Sequence, residues 1–245
     1  MIHLFNILIY EPLYNGLIFL IGVLPYQDVG LAVITLTAAV KIILYPLAKK
    51  GILAQKAVAE IEPEAAKIRD AHKDDKQEQA RRLMALYKEK GVSPFSGFLT
   101  ILVQIPIIIA LYLVFARAGL PEVMDDLLYS FVPSPENINM IFFGLVDMAA
   151  KSWPLAILAG ATQFFQAKVS SPPLPPKSDK PNFKDDFGRS MQIQIRYILP
   201  VAVVFISHTL SSAVALYWAA GNVFGIAQEF LIRRHQKANG LAKKV

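Results

Sequence analysis

The run from Val29 to Ala48, VGLAVITLTAAVKIILYPLA, holds twenty residues and a single charge, Lys41. At ~1.5 Å per residue, a helix of that length reaches across a hydrocarbon core of ~30 Å. A lone ammonium inside such a helix costs about 2.5–3.5 kcal/mol on insertion scales. Two placements relieve that cost. Lys41 faces water or a polar cavity within the membrane, or its four-carbon stem snorkels toward the nearby Lys49–Lys50 end.

Composition supports a membrane setting for the rest of the chain. Of its 245 residues, 54% are hydrophobic and 18% charged, and several further uncharged runs exceed the length of an ordinary core helix. The length suits one membrane domain. With no cysteine in the sequence, disulfides, thiolate metal sites, a cysteine nucleophile and a lipidated cysteine are excluded.

Residues 1–27 are apolar but contain Glu11-Pro12, which is expected to break the stretch into two short pieces. Leu13, Leu17, Leu20 and Leu24 recur at helical spacing, with Tyr14, Asn15 and Gln27 on a wetter side. The pattern favours a helix lying in the interface over a span. No Lys or Arg precedes Lys41, which argues against a cleaved secretory signal.

Beyond the first span (TM1, 28–49) the composition changes abruptly. Lys49–Ser93 carries eleven Lys/Arg and eight Asp/Glu, broken by Pro63 and by the polar run 71–75. Sparse apolar stripes on either side of that run predict a hairpin of two antiparallel helices in water (50–93). A second span covers 94–117, with Gln104 and Pro106 inside it. A mildly acidic segment follows (118–151), in which short interfacial helices are expected. A third span covers 152–170 and carries Gln163 and Gln166. Residues 171–181 contain five prolines and mark a loop, 171–190. The thirty-two uncharged residues from Tyr197 to Gln228 are too many for one span. Serines flanking His208 supply a turn, giving spans at 191–208 and 211–232 before a basic tail, 233–245. The expected fold class is therefore an all-α polytopic membrane protein with five transmembrane helices and a cytoplasmic helical hairpin.

Orientation follows from the basic residues. Lys49–Ser93 holds eleven, Lys168–Arg189 five and the tail Arg233–Lys244 five, whereas the opposite side has only Arg117 and Lys151 among several acids. By the positive-inside rule the N-terminus is outside, and the hairpin, loop and C-terminus are cytoplasmic in a multi-pass cell-membrane protein.

Several chemistries lack their residues. No carboxylate stands in the middle of an expected span, so ion-coupled transport loses its usual ligand; Glu229 falls at a cytoplasmic end. There is no H-E-x-x-H, no G-x-S-x-G, no intramembrane Asp pair and no glycine-rich phosphate loop. His208 beside its serines reads as a satisfied turn histidine rather than half of a catalytic dyad. No enzyme activity, metal, cofactor or specific nucleic-acid recognition is expected. The remaining intramembrane polar groups are Lys41, Thr35, Thr37, Gln104, Gln163, Gln166 and Asn222. Each alone is compatible with ordinary interhelical hydrogen bonding; together with Lys41 they suggest a polar interior open to an anionic group.

Several stretches, in this order, resemble the YidC/Oxa/Alb family of membrane protein insertases. They are Lys41-Ile-Ile-Leu-Tyr45-Pro46-Leu47; Asp74-Asp75-Lys76-Gln77 with Met84-Ala85-Leu86-Tyr87-Lys88; Leu102-Val-Gln104-Ile-Pro106-Ile with Ala110-Leu-Tyr112; Phe164-Phe165-Gln166; and Leu216-Tyr217-Trp218 followed by Asn222. The large extracytoplasmic domain of Gram-negative members is missing, so the chain resembles the short, five-span form. The resemblance implies a hydrophilic groove among the helices, open to cytoplasm and lipid, through which single- or few-span proteins enter the bilayer without nucleotide hydrolysis. It implies that Lys41, where the family usually has Arg, attracts acidic substrate segments. It places Thr37, Gln104, Gln163, Gln166, Tyr217, Trp218 and Asn222 around that groove. Nascent membrane proteins are the implied substrates, with the ribosome, a Sec-type translocon and membrane lipids as further partners. A Lys replaces a charge but not a bidentate guanidinium. A non-catalytic assembly chaperone is the alternative. An anion channel ranks lower, because the sequence has no internal repeat.

Overall fold

In a computed structural model, residues 2–93, 96–117, 120–171, 190 and 192–242 are described. The proline loop falls almost wholly outside them, as do the side chains of 96–104, including that of Gln104. The described residues are mainly helical: α1 (Ile2–Phe5), α2 (Glu11–Val23), α3 (Val29–Ile43), α4 (Tyr45–Ala71), α5 (Lys76–Glu89), α6 (Ser96–Arg117), α7 (Trp153–Ser170), α8 (Leu199–Thr209) and α9 (Ser212–Ala242).

Glu11-Pro12 does not break the N-terminal stretch. A π-helical turn, Asn6–Tyr10, joins α1 to α2, so Pro12 falls in the first turn of α2, where no intrahelical N–H is required of it. The resulting helix, His3–Val23, is the one run among the described residues that meets a length and apolarity requirement for crossing a bilayer by itself. Its expected wet side is also corrected. Tyr14 and Asn15 are buried, because a partner far along the chain covers them. Tyr14 Oη accepts from Met124 N–H at 2.8 Å. Asn15 Nδ2 donates to the carbonyls of Glu11 and Leu127, and its Oδ1 accepts from Tyr129 N–H at 2.7 Å.

The segment expected as a span at 28–49 is bent within its last turns. Helix α3 is fifteen residues long and ends at Ile43, and α4 leaves it at 65°. Pro46 cannot donate to the Ile42 carbonyl but is accommodated in the first turn of a new helix. Lys41 therefore lies in the last turn of α3, where a cation suits the carbonyl end of the helix dipole.

Helices α4 and α5 form the expected antiparallel hairpin. Lys90 meets Glu64 at 3.1 Å, and Gln79 Nε2 donates to the Arg69 carbonyl at 2.8 Å. Pro63 stays inside α4, and the turn falls at the polar run. Asp75 then caps α5 by accepting from Gln77 and Glu78 N–H.

Segment 120–151 holds one 3₁₀ turn, Asp125–Leu127, and a two-stranded antiparallel ribbon, β1 (Ile141–Phe142) with β2 (Val146–Asp147), in place of the interfacial helices expected there. It is stitched to three helices. Besides the α2 bonds, Val29 N–H donates to the Asn139 carbonyl, and Ser212 and Ala213 N–H donate to the carbonyls of Ala150 and Met148. Tyr14, Leu17, Val33, Leu111, Met148 and Leu216 belong to the main core that these contacts close. The expected turn between the last two spans lies at Leu210-Ser211. The last helix runs thirty-one residues to Ala242, so the basic tail begins as its continuation.

Candidate functional site

Helix α9 packs between α3 and α7, and two of its faces receive the polar residues singled out in the sequence. Gly221 faces α3: a Cβ there would stand 3.7 Å from Lys41 Cε and 4.0 Å from Thr37 Cγ2. The lysine stem thus runs along the helix at an ordinary contact distance. Thr37 is buried, and its hydroxyl donates to the Val33 carbonyl at 2.6 Å. Its single proton is thereby used, leaving oxygen lone pairs as what it can offer a ligand. One turn further along α9, a Cβ at Gly225 would lie 2.5 Å from Gln166 Nε2. Lys41, Thr37 and Gln166 thus converge on neighbouring turns of one helix.

Three other expected residues tie α9 to α7. Trp218 Nε1 donates to Gln163 Oε1 at 3.0 Å. Buried Asn222 donates through Nδ2 to the Ala159 carbonyl at 3.3 Å and to Thr162 Oγ1 at 3.1 Å. These are interhelical bonds of the ordinary membrane kind. Tyr217 lies buried in the main core. Gln104 belongs to α6, but its side chain is outside the described residues.

Residues that the sequence reading passed over complete the arrangement. The Lys41 carbonyl lies in the last turn of α3, where helix ends turn to capping groups for their carbonyls. Gln228 Nε2 donates to it at 2.7 Å. The next residue, Glu229, is buried, and its carboxylate accepts from Ser170 Oγ and, at 2.6 Å, from Arg233 Nη2. Arg233 also donates to the Val169 carbonyl at 2.7 Å. The G-x-x-x-G spacing of Gly221 and Gly225 was the legible signal for close helix approach. Nothing in the sequence marked Gln228 as a cap.

The ring of His208 stacks on Trp153 with centroids 3.7 Å apart. Among the described residues its Nδ1 and the hydroxyls of Ser207 and Ser211 find no hydrogen-bond partner; the histidine expected to be satisfied at a turn is held there by stacking, and no dyad is seen. Among the described residues no cluster of His, Cys, Asp and Glu suits a metal ion.

The arrangement defines a class: a helical membrane protein whose apolar helix α3, bent at Leu44 into α4, offers one lysine along the glycine face of its last helix. Residues 22–239 match the model of the family described as 60Kd inner membrane protein. Over 211 residues, or 85% of its length, the chain is 33% identical to the membrane protein insertase YidC of Francisella philomiragia. It is 32% identical over the same share to the protein of that name from Francisella tularensis subsp. novicida. The matched region is 33% of each relative, so the chain spans about a third of their length. The chain belongs to the YidC/Oxa/Alb family.

Proposed function

We propose that this protein is a membrane protein insertase of the inner or plasma membrane, with five spans, an outer N-terminus and a cytoplasmic hairpin and C-terminus. The observation that carries the reading is the lysine stem lying against Gly221 beside Thr37, at the cytoplasmic end of α3. In the proposed topology this is where a segment entering from the cytoplasm first meets the bilayer.

The physical task is transfer without a covalent step. A charged group in hydrocarbon costs about 2.5–3.5 kcal/mol or more. A polar groove reaching partway shortens the apolar path, and burial of the substrate's own apolar helix supplies the drive, at ~25 cal/mol per Å². An acidic substrate group ~4 Å from Lys41 gains about 4 kcal/mol at an effective dielectric of ~20. Gln166 and Thr37 offer hydrogen bonds to a polar backbone passing the same point. The hairpin α4–α5, whose two helices are joined by the Lys90–Glu64 pair, contributing about 0.2–1 kcal/mol, and the Gln79 bond, is suited to receiving substrates. Nascent membrane proteins are the proposed substrates, with the ribosome and a Sec-type translocon as proposed partners.

Reconstitution into liposomes tests the assignment. Purified chain is expected to raise the yield of a protease-protected single-span substrate above that of empty vesicles. Substrate kept soluble but left unprotected would make the protein an assembly chaperone instead.

A further inference from the structure

Two aromatic residues among the described residues hold backbone conformations that bulky side chains rarely adopt. Tyr26 has φ 62° and Phe143 has φ 49°. Both are exposed, at 86% and 66%, and Leu145 beside the second is 84% exposed. Phe143 and Gly144 form the tip of the β1–β2 ribbon, closed by Leu145 N–H donating to the Phe142 carbonyl at 2.9 Å. Tight hairpins commonly place Asn or Gly where Phe143 stands.

One acid joins the two sites. Asp28 Oδ1 caps α3 by accepting from Leu31 N–H, and its Oδ2 accepts from Phe143 N–H, both at 3.0 Å. Asn139 N–H, at the foot of the ribbon, donates to the Gln27 carbonyl at 3.0 Å. The ribbon tip is therefore fixed to the short junction 24–28 that joins the apolar helices α2 and α3. That junction has non-helical backbone and cannot lie in hydrocarbon, so it marks the level where hydrocarbon ends. In the junction 24–30 the only charge is Asp28, and both its oxygens are taken up by backbone N–H groups; Asp147, at the foot of the ribbon, accepts from Ala149 N–H at 2.9 Å.

We propose that the clamp around Asp28 presents Tyr26, Phe143 and Leu145 to the lipid headgroup layer of the outer leaflet, as an anchor that sets the depth of α3. Aromatic side chains are favoured at that level, and Val23, three residues before Tyr26, is exposed as well. The backbone geometry that exposes two rings to water in a soluble setting gives them lipid contact here. The inference requires that the chain sits in a bilayer, not that it inserts substrates; naming the leaflet the outer one rests on the topology proposed above.

The chain has no native cysteine, so single-site labelling is direct. Tyr26→Cys, Leu145→Cys and, as a control on the same segment, Glu136→Cys are spin-labelled and reconstituted in phosphatidylethanolamine–phosphatidylglycerol vesicles. Collision with oxygen relative to a water-soluble nickel chelate is expected to be several-fold higher at 26 and 145 than at 136. Equal ratios at 145 and 136 would overturn the anchor and return the tip to a solvated loop. Poor access of both reagents at 145 would also overturn it, pointing to a protein surface. In Phe143→Asn, which suits the turn and retains the backbone bond to Asp28, the Tyr26→Cys label should move toward water. An unchanged depth would show that the ring anchors nothing.

Discussion

Gly225→Ala separates the stability of the α7–α9 seam from the position of the Gln166 amide. The new Cβ would meet Gln166 Nε2 at 2.5 Å, so the amide must retreat by ~1 Å to reach an ordinary contact of about 3.5 Å. It is the far end of a flexible side chain, and forcing it off its rotamer costs about 0.5–1.5 kcal/mol. Alanine in a helix interior returns about 0.5–1 kcal/mol relative to glycine. The two nearly cancel, so thermal unfolding in detergent should shift little. Gly221→Ala is the control: its Cβ makes only ordinary contacts, at 3.7 and 4.0 Å, and the helix gain should raise the midpoint by about 1–4 °C. Liposome insertion should then fall with Gly225→Ala and hold with Gly221→Ala. Loss of insertion in both variants, or in neither, would refute the placement of Gln166 in the substrate path.

Three further outcomes follow from the same coordinates. Gln228→Leu removes the amide that donates to the Lys41 carbonyl, which should cost about 0.5–1.5 kcal/mol and show as a lower unfolding midpoint, with Gln228→Asn no substitute because its amide is one methylene shorter. Gly160→Ala should be damaging, measured by yield and melting, since its Cβ would lie 2.2 Å from Val204 Cγ2 and 2.8 Å from the Pro200 carbonyl oxygen, and overpacking typically costs about 1–3 kcal/mol. In the hairpin, hydrogen bonds from Arg81 and then Arg82 hold the Glu78 carboxyl down to about 2 from 4.5; its contribution is therefore complete above pH 4.5 and lost as pH falls toward 2, a window that Glu78→Gln should remove from the acid titration of hairpin helicity.

The helices were legible where a run of apolar residues decides the matter alone. The hairpin with its turn at 71–75, the helix from Trp153 and the break before Ser212 all stand where uncharged runs and polar punctuation put them. The bend at Leu44 was harder to read, because Pro46 in the first turn of a new helix leaves the apolar pattern uninterrupted. Burial of Tyr14 and Asn15 depends on partners at Met124, Leu127 and Tyr129, more than a hundred residues away, and no periodicity within α2 reveals them. At the site, Lys41 and Thr37 announced themselves as polar groups in an apolar run. Gly225 and Gln228 act by leaving space or by capping a carbonyl, roles that depend on which helix lies opposite.

The central claim is that Lys41 meets acidic substrate segments in a polar path, and one measurement addresses it directly. Wild type, Lys41→Arg, Lys41→Ala and Lys41→Leu are reconstituted into liposomes and given one single-span substrate in two versions, with an acidic or a neutral translocated tail. At about 4 kcal/mol for a close pair at an effective dielectric of ~20, even a tenth of that attraction about doubles a rate, since ~1.4 kcal/mol is tenfold. The account predicts that Lys41→Arg inserts both tails like wild type, while Lys41→Ala and Lys41→Leu insert the acidic tail markedly less than the neutral one. Equal insertion of the two tails by wild type and by Lys41→Ala would contradict it, leaving a lysine that only snorkels to the interface.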